Sequence, residues 1–370
     1  MLFFIFENYL YAIFSYQPHI LKYLSILAKI FIIMFKYLFL RSILVLFSIM
    51  ISFPVLSQND TEIAITRDLV KPPNLKKGDT IVILSPAGRI KDKKSVDAGI
   101  ELANHWGLVV FFGNHMLSQD NTFAGTDIQR LDDLQKALDD PSIKAIWAAR
   151  GGYGTVRIID DLDFNKFVES PKWIIGYSDI TVLHNKIHEL GFQSIHAQMP
   201  LTLDLEDPVQ KESIITLAQA LFGKKLSYKF ETSKYNRQGE STGQIIGGNL
   251  SIVYSMLQSE TTIDMNGKIL FIEDIGEALY HIDRMMISLK RAGYFKNCKG
   301  LIVGDFKLKK NEGNKFGKSL EEIVLEAAEG TDFPVIFNFP AGHIDDNRAL
   351  VMGSYVDLKV TKKKVKVSFK

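Results

Sequence analysis

Between residues 80 and 197, short apolar runs alternate with segments of helical periodicity, and this alternation constrains the fold more than any other feature of the sequence. The apolar runs lie at residues 80–84, 108–112, 143–149, 173–175 and 193–197. Segments 96–106 and 127–138 repeat apolar residues at three- and four-residue spacing, which indicates amphipathic helices. Strands that alternate with helices predict a mostly parallel sheet with helices on both faces. In such sheets, binding sites gather at the carboxyl ends of the strands.

The chain has 370 residues, enough for two ordinary domains. Residues 76–223 are predicted to form an N-terminal α/β domain of the Rossmann or flavodoxin-like class. Residues 224–241 are polar and are predicted as a linker. Residues 242–370 are predicted to form a smaller C-terminal α/β domain with a mixed or barrel-like sheet. The alternating pattern near its end favours an antiparallel pair of strands.

The first 57 residues are dominated by Phe, Leu, Ile and Tyr and are predicted to lie outside the fold. A basic stretch, an apolar core and small residues before Gln58 are typical of a secretory signal peptide cleaved after Ser57. Met34 is a candidate for the true start, with residues 1–33 an over-extension. The alternative is an uncleaved anchor, but residues 43–56 are short against the roughly 20 that a spanning helix needs. We expect export, to the periplasm, with only transient membrane contact, and residues 58–75 as a polar tail.

Charge and cysteine content exclude several classes of function. The formal net charge is +2, and most of that excess lies in the first 57 residues, so a nucleic-acid partner is not indicated. Cys298 is the single cysteine, which excludes an internal disulfide and any multi-cysteine metal site.

A serine follows the apolar run 173–175 at the junction between a predicted strand and a predicted helix. Ser178 stands two residues after Gly176, and Asp179 is placed to supply a carboxylate at the helix start. A serine at such a corner has the geometry of a nucleophile elbow, with backbone N–H groups nearby to hold an oxyanion. Ile180 replaces the second glycine of a Gly-x-Ser-x-Gly motif. From this segment alone, a turn with a helix-capping serine is the favoured interpretation.

A glycine-rich loop at residues 150–154, Arg-Gly-Gly-Tyr-Gly, also follows a predicted strand. It lacks the Gly-x-x-x-x-Gly-Lys-Ser/Thr pattern of a phosphate loop. A tight turn, a substrate loop and a phosphate loop stay open, in that order of preference. In a substrate loop, Arg150 would be available to pair with a carboxylate.

Further candidate side chains follow other predicted strands. Glu273 ends an apolar strand, and His343 follows the strand 335–337. A serine hydrolase needs a base near the hydroxyl and a group that orients this base, and a site between two domains could unite these residues with the serine. His184 and His188 are spaced for a metal pair, but without a His-Glu-x-x-His pattern an ordinary helix face is favoured.

With these residues in view, the sequence resembles the LD-carboxypeptidase family, the muramoyltetrapeptide carboxypeptidases with their microcin-immunity relatives. The resemblance runs from about residue 76 to the end and is carried by five segments in the family's order. They are Ser-Pro-Ala-Gly at 85–88, Arg-Gly-Gly-Tyr-Gly at 150–154, Gly-Tyr-Ser-Asp at 176–179, Phe-Ile-Glu-Asp at 271–274 and Gly-His at 342–343. Each segment alone is weak evidence, whereas five in order are specific.

The resemblance implies a triad with Ser178 as nucleophile, Glu273 as the orienting group and His343 as general base, without a metal or other cofactor. It implies release of the terminal D-alanine from a peptidoglycan tetrapeptide, so the partner would be a muropeptide or stem peptide. A homodimer is a further candidate assembly. Many members are cytoplasmic, whereas this chain is predicted to be exported, which leaves open whether the intact wall or released fragments are the substrate.

Substrate-binding residues are predicted around this triad. The backbone N–H groups of Asp179, Gly151 and Gly152 are candidates for the oxyanion hole. Arg150 is a candidate for the terminal carboxylate, and Tyr153 of the same loop is a candidate contact. Two alternatives stay open: a hydrolase of peptide–nucleotide antibiotics, which would need the loop at 201–207 to accept a nucleotide, and a non-catalytic muropeptide-binding protein.

Overall fold

The computed structural model describes residues 68–309 and 316–370, together with residues 23, 26–27, 29–39 and 41. The chain divides into two compact units, Met1–Ile63 and Ala64–Lys370. In the first unit, residues 29–39 are helical. None of the helices in the described ranges has the length and apolar character required to cross a membrane. The predicted cleavage site after Ser57 lies outside the described residues.

Six strands of the second unit form the first sheet, in the order β11-β5-β4-β3-β1-β2. Their bounds are β1 Thr80–Leu84, β2 Val109–Phe112, β3 Ile143–Ala148, β4 Trp173–Gly176, β5 Ser194–His196 and β11 Leu350–Met352. All neighbours are parallel except β11, which pairs antiparallel with β5. The predicted mostly parallel sheet is confirmed. The β11 strand comes from the last part of the chain, which the sequence analysis assigned to the second domain.

Helices connect the parallel strands of this sheet: α1 Asp97–His105, α2 Asp127–Asp139, α3 Asn165–Glu169 and α4 Thr181–Glu189. A further helix, α5 Lys211–Leu221, follows β5 and leads to the second sheet. The start of α2 shows how the sequence sets a boundary, because Thr126 and Gln129 form a reciprocal capping box. This arrangement satisfies amide groups that lack partners in the first helical turn.

Seven strands form the second sheet, in the order β10-β9-β8-β7-β12-β13-β6. The bounds are β6 Ser227–Glu231, β7 Gly239–Asn249, β8 Lys268–Glu277, β9 Gly300–Leu308, β10 Val335–Ile336, β12 Tyr355–Val360 and β13 Lys364–Phe369. The strands from β7 to β10 are parallel, and those from β7 through β12 and β13 to β6 are antiparallel, so the predicted mixed sheet is confirmed. Residues 224–241, predicted as a linker, contain β6 and the start of β7, because they pair with strands that follow much later in the chain.

Three helices accompany the second sheet: α6 Leu250–Ser255, α7 Leu279–Arg291 and α8 Leu320–Ala327. The helix α7 follows β8 directly, and α8 packs against it. Both helices bury residues in the same core cluster, among them Met286 and Ile323.

The two sheets share contacts where the first helix after Ser178 meets the end of β7. The backbone N–H of Asn249 donates to Thr181 Oγ1 at 3.0 Å. A Cβ on Gly248 would lie 2.4 Å from the same oxygen, so glycine permits the close approach of helix α4 to this strand. The end of β4 and the end of β7 are therefore neighbours.

Candidate active site

Ser178 lies in a strained turn immediately after the buried strand β4. Its φ of 63° is a left-handed conformation that costs a non-glycine residue free energy and is common at functional sites. A short 3₁₀ turn covers Ser178–Ile180, and α4 begins at Thr181. The side chain of Ser178 makes no helix cap, so the capping interpretation favoured by the segment alone is wrong.

Three side chains from distant parts of the sequence form one chain of hydrogen bonds. His343 Nε2 lies 3.2 Å from Ser178 Oγ, and His343 Nδ1 lies 2.6 Å from Glu273 Oε2. Because the Nδ1–H group donates to the carboxylate, Nε2 is left to accept from the serine hydroxyl. The structure thus brings together the three residues that the sequence analysis selected as candidate nucleophile, base and orienting group.

Glu273 is fully buried within β8 rather than at its end, where the sequence analysis placed it. The pairing of β8 with β9 shifts register between Ile272 and Asp274, so Glu273 occupies an irregular point in the ladder. A Cβ on Gly342 would lie 2.9 Å from Glu273 Cβ, and this glycine allows the His343 loop to pass close to the carboxylate. Burial raises the pKa of Glu273, and the hydrogen bond from His343 opposes that shift.

Two residues that the sequence analysis did not select position His343. The ring of Tyr177 packs edge-on against the imidazole, with 5.0 Å between the ring centroids. Asn347 is fully buried and accepts the N–H of Gly342 at 2.9 Å, while its side-chain amide donates to Gln198 Oε1 at 3.2 Å. Asn347 therefore ties the His343 loop to the segment that follows β5, and a single sequence carries no pattern that would reveal it.

The glycine-rich loop lies directly beside Ser178. A Cβ on Gly151 would fall 2.8 Å from Ser178 Cβ and 3.3 Å from the backbone N of Asp179. Gly151 also accepts the N–H of Gly88 at 3.0 Å, so the ends of the adjacent strands β1, β3 and β4 meet here. The loop carries no lysine for a phosphate, and its close approach to Ser178 is typical of a substrate loop.

Asp179 fixes this loop instead of capping a helix, which corrects the predicted role of its side chain. The carboxylate is buried and accepts the backbone N–H of Thr155 at 2.8 Å. Burial raises the pKa of Asp179, and the hydrogen bonds from Thr155 oppose the shift. Its backbone nitrogen follows Ser178, as the oxyanion prediction requires.

Comparison with known proteins identifies the family. The family model described as the LD-carboxypeptidase N-terminal domain matches residues 81–197, and the model for the C-terminal domain matches residues 242–358. The chain belongs to the LD-carboxypeptidase family. It is therefore a peptidase by descent, as the order of its five motifs suggested.

Individual relatives agree with this membership. A probable murein peptide carboxypeptidase of Bacillus subtilis is 35% identical over 303 residues, which span 79% of this chain and 92% of the relative. The crystal structure of muramoyltetrapeptide carboxypeptidase from Oxalobacter formigenes has a TM-score of 0.71 and 27% identity, covering 78% of this chain and 98% of that one. The microcin C7 self-immunity protein MccF of Escherichia coli is 24% identical over 327 residues, 80% of this chain and 94% of MccF.

The other predicted substrate contacts of this LD-carboxypeptidase family member lie in the same loop. Arg150 donates from Nη1 to the backbone oxygen of Arg89 at 2.9 Å. Tyr153 is half exposed, and its ring lies 5.7 Å from that of Phe123. Beneath the loop, the buried Arg130 donates to the backbone oxygens of Pro86 and Gly154, both at 2.8 Å. The contacts of Arg150 and Tyr153 with substrate stay predictions.

Of the two histidines considered as a metal pair, His184 belongs to the packed interior. His184 is fully buried and contacts Ser194 Oγ at 2.8 Å and the backbone oxygen of Gly176 at 2.9 Å. Among the described residues, His115, Asp132 and Asp133 are close enough to share a metal ion. His115 and Asp133 already bond to each other at 3.0 Å through Nδ1.

Proposed function

We propose that this protein is a serine carboxypeptidase that releases the terminal D-alanine from peptidoglycan tetrapeptides by cutting an L,D bond. The hydrogen-bonded series Ser178–His343–Glu273, in a chain of the LD-carboxypeptidase family, is the observation that carries the proposal. The murein-peptide names of the relatives support the choice of substrate.

In the proposed acylation step, Ser178 Oγ attacks the carbonyl carbon of the diamino acid that precedes D-alanine. His343 Nε2 takes the hydroxyl proton and then gives it to the nitrogen of the departing D-alanine as the C–N bond breaks. Glu273 holds the imidazole in the correct tautomer and stabilises its charged form. Water then attacks the acyl ester, His343 accepts the proton of this water, and the proton returns to Ser178 Oγ.

The N–H groups of Asp179 and of Gly151 and Gly152 are proposed to hold the oxyanion. The closeness of Gly151 to Ser178 supports this assignment. Loss of one such donor typically lowers kcat by about 100- to 1,000-fold.

Arg150 is proposed to bind the terminal carboxylate of the substrate. Arg150→Ala should then reduce kcat/KM more for the tetrapeptide than for its carboxyl-amidated form, and equal reductions would contradict that role.

We also propose that the protein is exported to the periplasm after cleavage behind Ser57. The basic and apolar segment before Gln58 supports this proposal. Mass spectrometry of the protein recovered from cells should find an N-terminus at Gln58, and a chain that keeps the apolar segment would contradict it.

The decisive experiment incubates the purified protein with disaccharide tetrapeptide and follows the product mass. We expect the loss of one alanine with the native protein and no loss with Ser178→Ala. A native protein that binds the muropeptide without cleaving it would instead favour a non-catalytic binding role.

A second candidate is hydrolysis of a peptide–nucleotide antibiotic, which the similarity to the self-immunity protein MccF favours. An aminoacyl sulfamoyl adenosine offered in the same assay separates the two functions. Faster turnover of this compound than of the tetrapeptide would overturn the first proposal in favour of the second.

A further inference from the structure

A cavity of about 740 Å³ lies at the carboxyl ends of β8 and β9, between the starts of α7 and α8. Its wall includes Gly304 and Ile344. Ile344 follows His343 directly, and a Cβ on Gly304 would lie 3.2 Å from Glu273 Cβ. The cavity therefore shares a wall with the base and its orienting carboxylate, although neither Ser178 nor the glycine-rich loop lines it.

The charges that line this cavity are mainly negative. Among the lining residues that the structure describes, Glu277, Asp305 and Glu321 contribute carboxylates, against one basic residue, Lys309. Glu277 is already engaged, because it accepts from His281 and, at 3.1 Å, from Ser251 Oγ. A partly enclosed wall with an excess of carboxylates favours a cationic group over an anionic one.

Among these carboxylates, Asp305 has a buried oxygen that lacks a hydrogen-bond donor in the described part of the chain. Its backbone N–H donates to Ala341 O at 2.9 Å, which fixes the residue beside the His343 loop. Its Oδ2 atom is buried and has no hydrogen-bond partner among the residues that the structure describes. Burial raises the pKa of Asp305, while the charges of Lys307 and His343 oppose this shift. A buried carboxylate oxygen without a donor is costly, and a bound ammonium group would supply that donor.

The position of the cavity relates it to one particular residue of the substrate. In acyl transfer at Ser178, the residue that supplies the acyl group must place its carbonyl carbon within reach of Ser178 Oγ and its leaving nitrogen near His343 Nε2. Its side chain then starts within a few atoms of His343. A side chain that runs along the wall formed by Ile344 and Gly304 would reach Asp305.

We propose that this cavity is the subsite for the side chain of the acyl-donating diamino acid, and that Asp305 recognises its terminal ammonium group. The inference rests on the proposed function, which it deepens by naming the residue that selects the substrate. Asp305 is a specificity-determining residue in this assignment and takes no part in proton transfer.

The test compares two stem tetrapeptides that differ by one ammonium group, with either lysine or norleucine before the terminal D-alanine. For the native protein, we expect kcat/KM to be roughly 10- to 100-fold higher with lysine, as a charge-assisted hydrogen bond typically gives. Asp305→Asn should bring this ratio below about threefold while the norleucine peptide is cleaved at a similar rate. Both rates are measured on one preparation, so a loss of folded protein cancels in the ratio.

The control is Asp160→Asn, which removes one negative charge from an exposed position away from the cavity. It should leave the ratio unchanged. A ratio near one in the native protein, or an equal ratio in native and Asp305→Asn proteins, would overturn the assignment while leaving the proposed activity intact.

Binding to Ser178→Ala, measured by calorimetry with the same two peptides, separates failure of the subsite from failure of the proposed function. If neither peptide is cleaved by the native protein, a preference for lysine that disappears in Ser178→Ala/Asp305→Asn still supports the subsite. The absence of such a preference would overturn it.

Discussion

At the scale of single residues, the conformation of Ser178 is the feature that separates a nucleophile from a capping serine. A left-handed φ of 63° lifts the hydroxyl out of the helix start, and the hydroxyl meets His343 instead of a backbone amide. The surrounding glycines make this position accessible, since a side chain at Gly151 would collide with Ser178. The serine side chain supplies a hydroxyl group, and the left-handed backbone at Ser178 orients that hydroxyl toward His343.

Glu273→Gln is predicted to lower kcat by roughly 10⁴-fold with little change in the fold, by analogy with loss of the orienting carboxylate in other serine hydrolases. Glutamine has nearly the same volume, but it cannot stabilise a charged imidazole and can hold it in the wrong tautomer. The measurement is kcat on the tetrapeptide, with the circular dichroism spectrum as a check of folding.

The matched control for this change is Asp274→Asn, on the next residue of the same strand. Asp274 is also buried, but it accepts from Asn249 Nδ2 at 2.9 Å and from Ser251 Oγ at 2.8 Å and does not contact His343. We expect it to affect stability more than turnover. Similar losses of kcat in the two variants would show that Glu273 has no special role.

At the scale of elements, the elbow at residues 176–179 and the glycine-rich loop act as one rigid piece. Asp179 at the elbow holds the amide of Thr155 just beyond the loop, and Arg130 of helix α2 holds the carbonyl of Gly154. The loop thus has fixed partners on both the strand and the helix side. Contacts within the protein therefore hold the loop beside Ser178.

Asp179→Ala is predicted to lower the free energy of unfolding by about 1–3 kcal/mol, because it leaves the Thr155 N–H buried without an acceptor. It should also reduce kcat/KM, since the loop is released from the elbow. Asp179→Asn keeps an acceptor oxygen and should recover most of both losses. Urea unfolding and tetrapeptide kinetics measure the two effects, and an asparagine variant as impaired as the alanine variant would contradict this account.

At the scale of the whole molecule, buried histidines couple stability to pH. Burial lowers the pKa of His184 to about 4, against about 6.5 in an unfolded chain. Between these values the unfolded chain binds a proton that the folded chain does not. The associated stability is therefore complete above pH 6.5 and is lost as the pH falls toward 4.

From pH 7 to pH 5, His184 alone is expected to remove about 2 kcal/mol of unfolding free energy. In His184→Gln, the decrease between these two pH values should be smaller by that amount, as measured by urea unfolding. Ser194→Ala is the control, because it removes the hydrogen bond to His184 without removing the titrating group. Equal decreases in native protein and His184→Gln would contradict the prediction.

The sequence by itself determined the α/β class, the parallel first sheet and the mixed second sheet. Local periodicity and the order of apolar runs carry that information, because each strand or helix is specified by adjacent residues. The three triad residues were also selected from the sequence, through motif order rather than through spacing.

Only the tertiary structure decided how these pieces meet. Ser178 and His343 are 165 residues apart in sequence, and no local pattern encodes the distance between their side chains. The same applies to β6, which falls in the predicted linker, to β11, which joins the first sheet, and to Asn347, whose role depends on Gln198. Asp179 illustrates the reason at one residue. Its position at the start of a helix predicted a cap. The carboxylate instead accepts the backbone N–H of Thr155, from a different part of the chain. Long-range packing therefore determined the partner of Asp179.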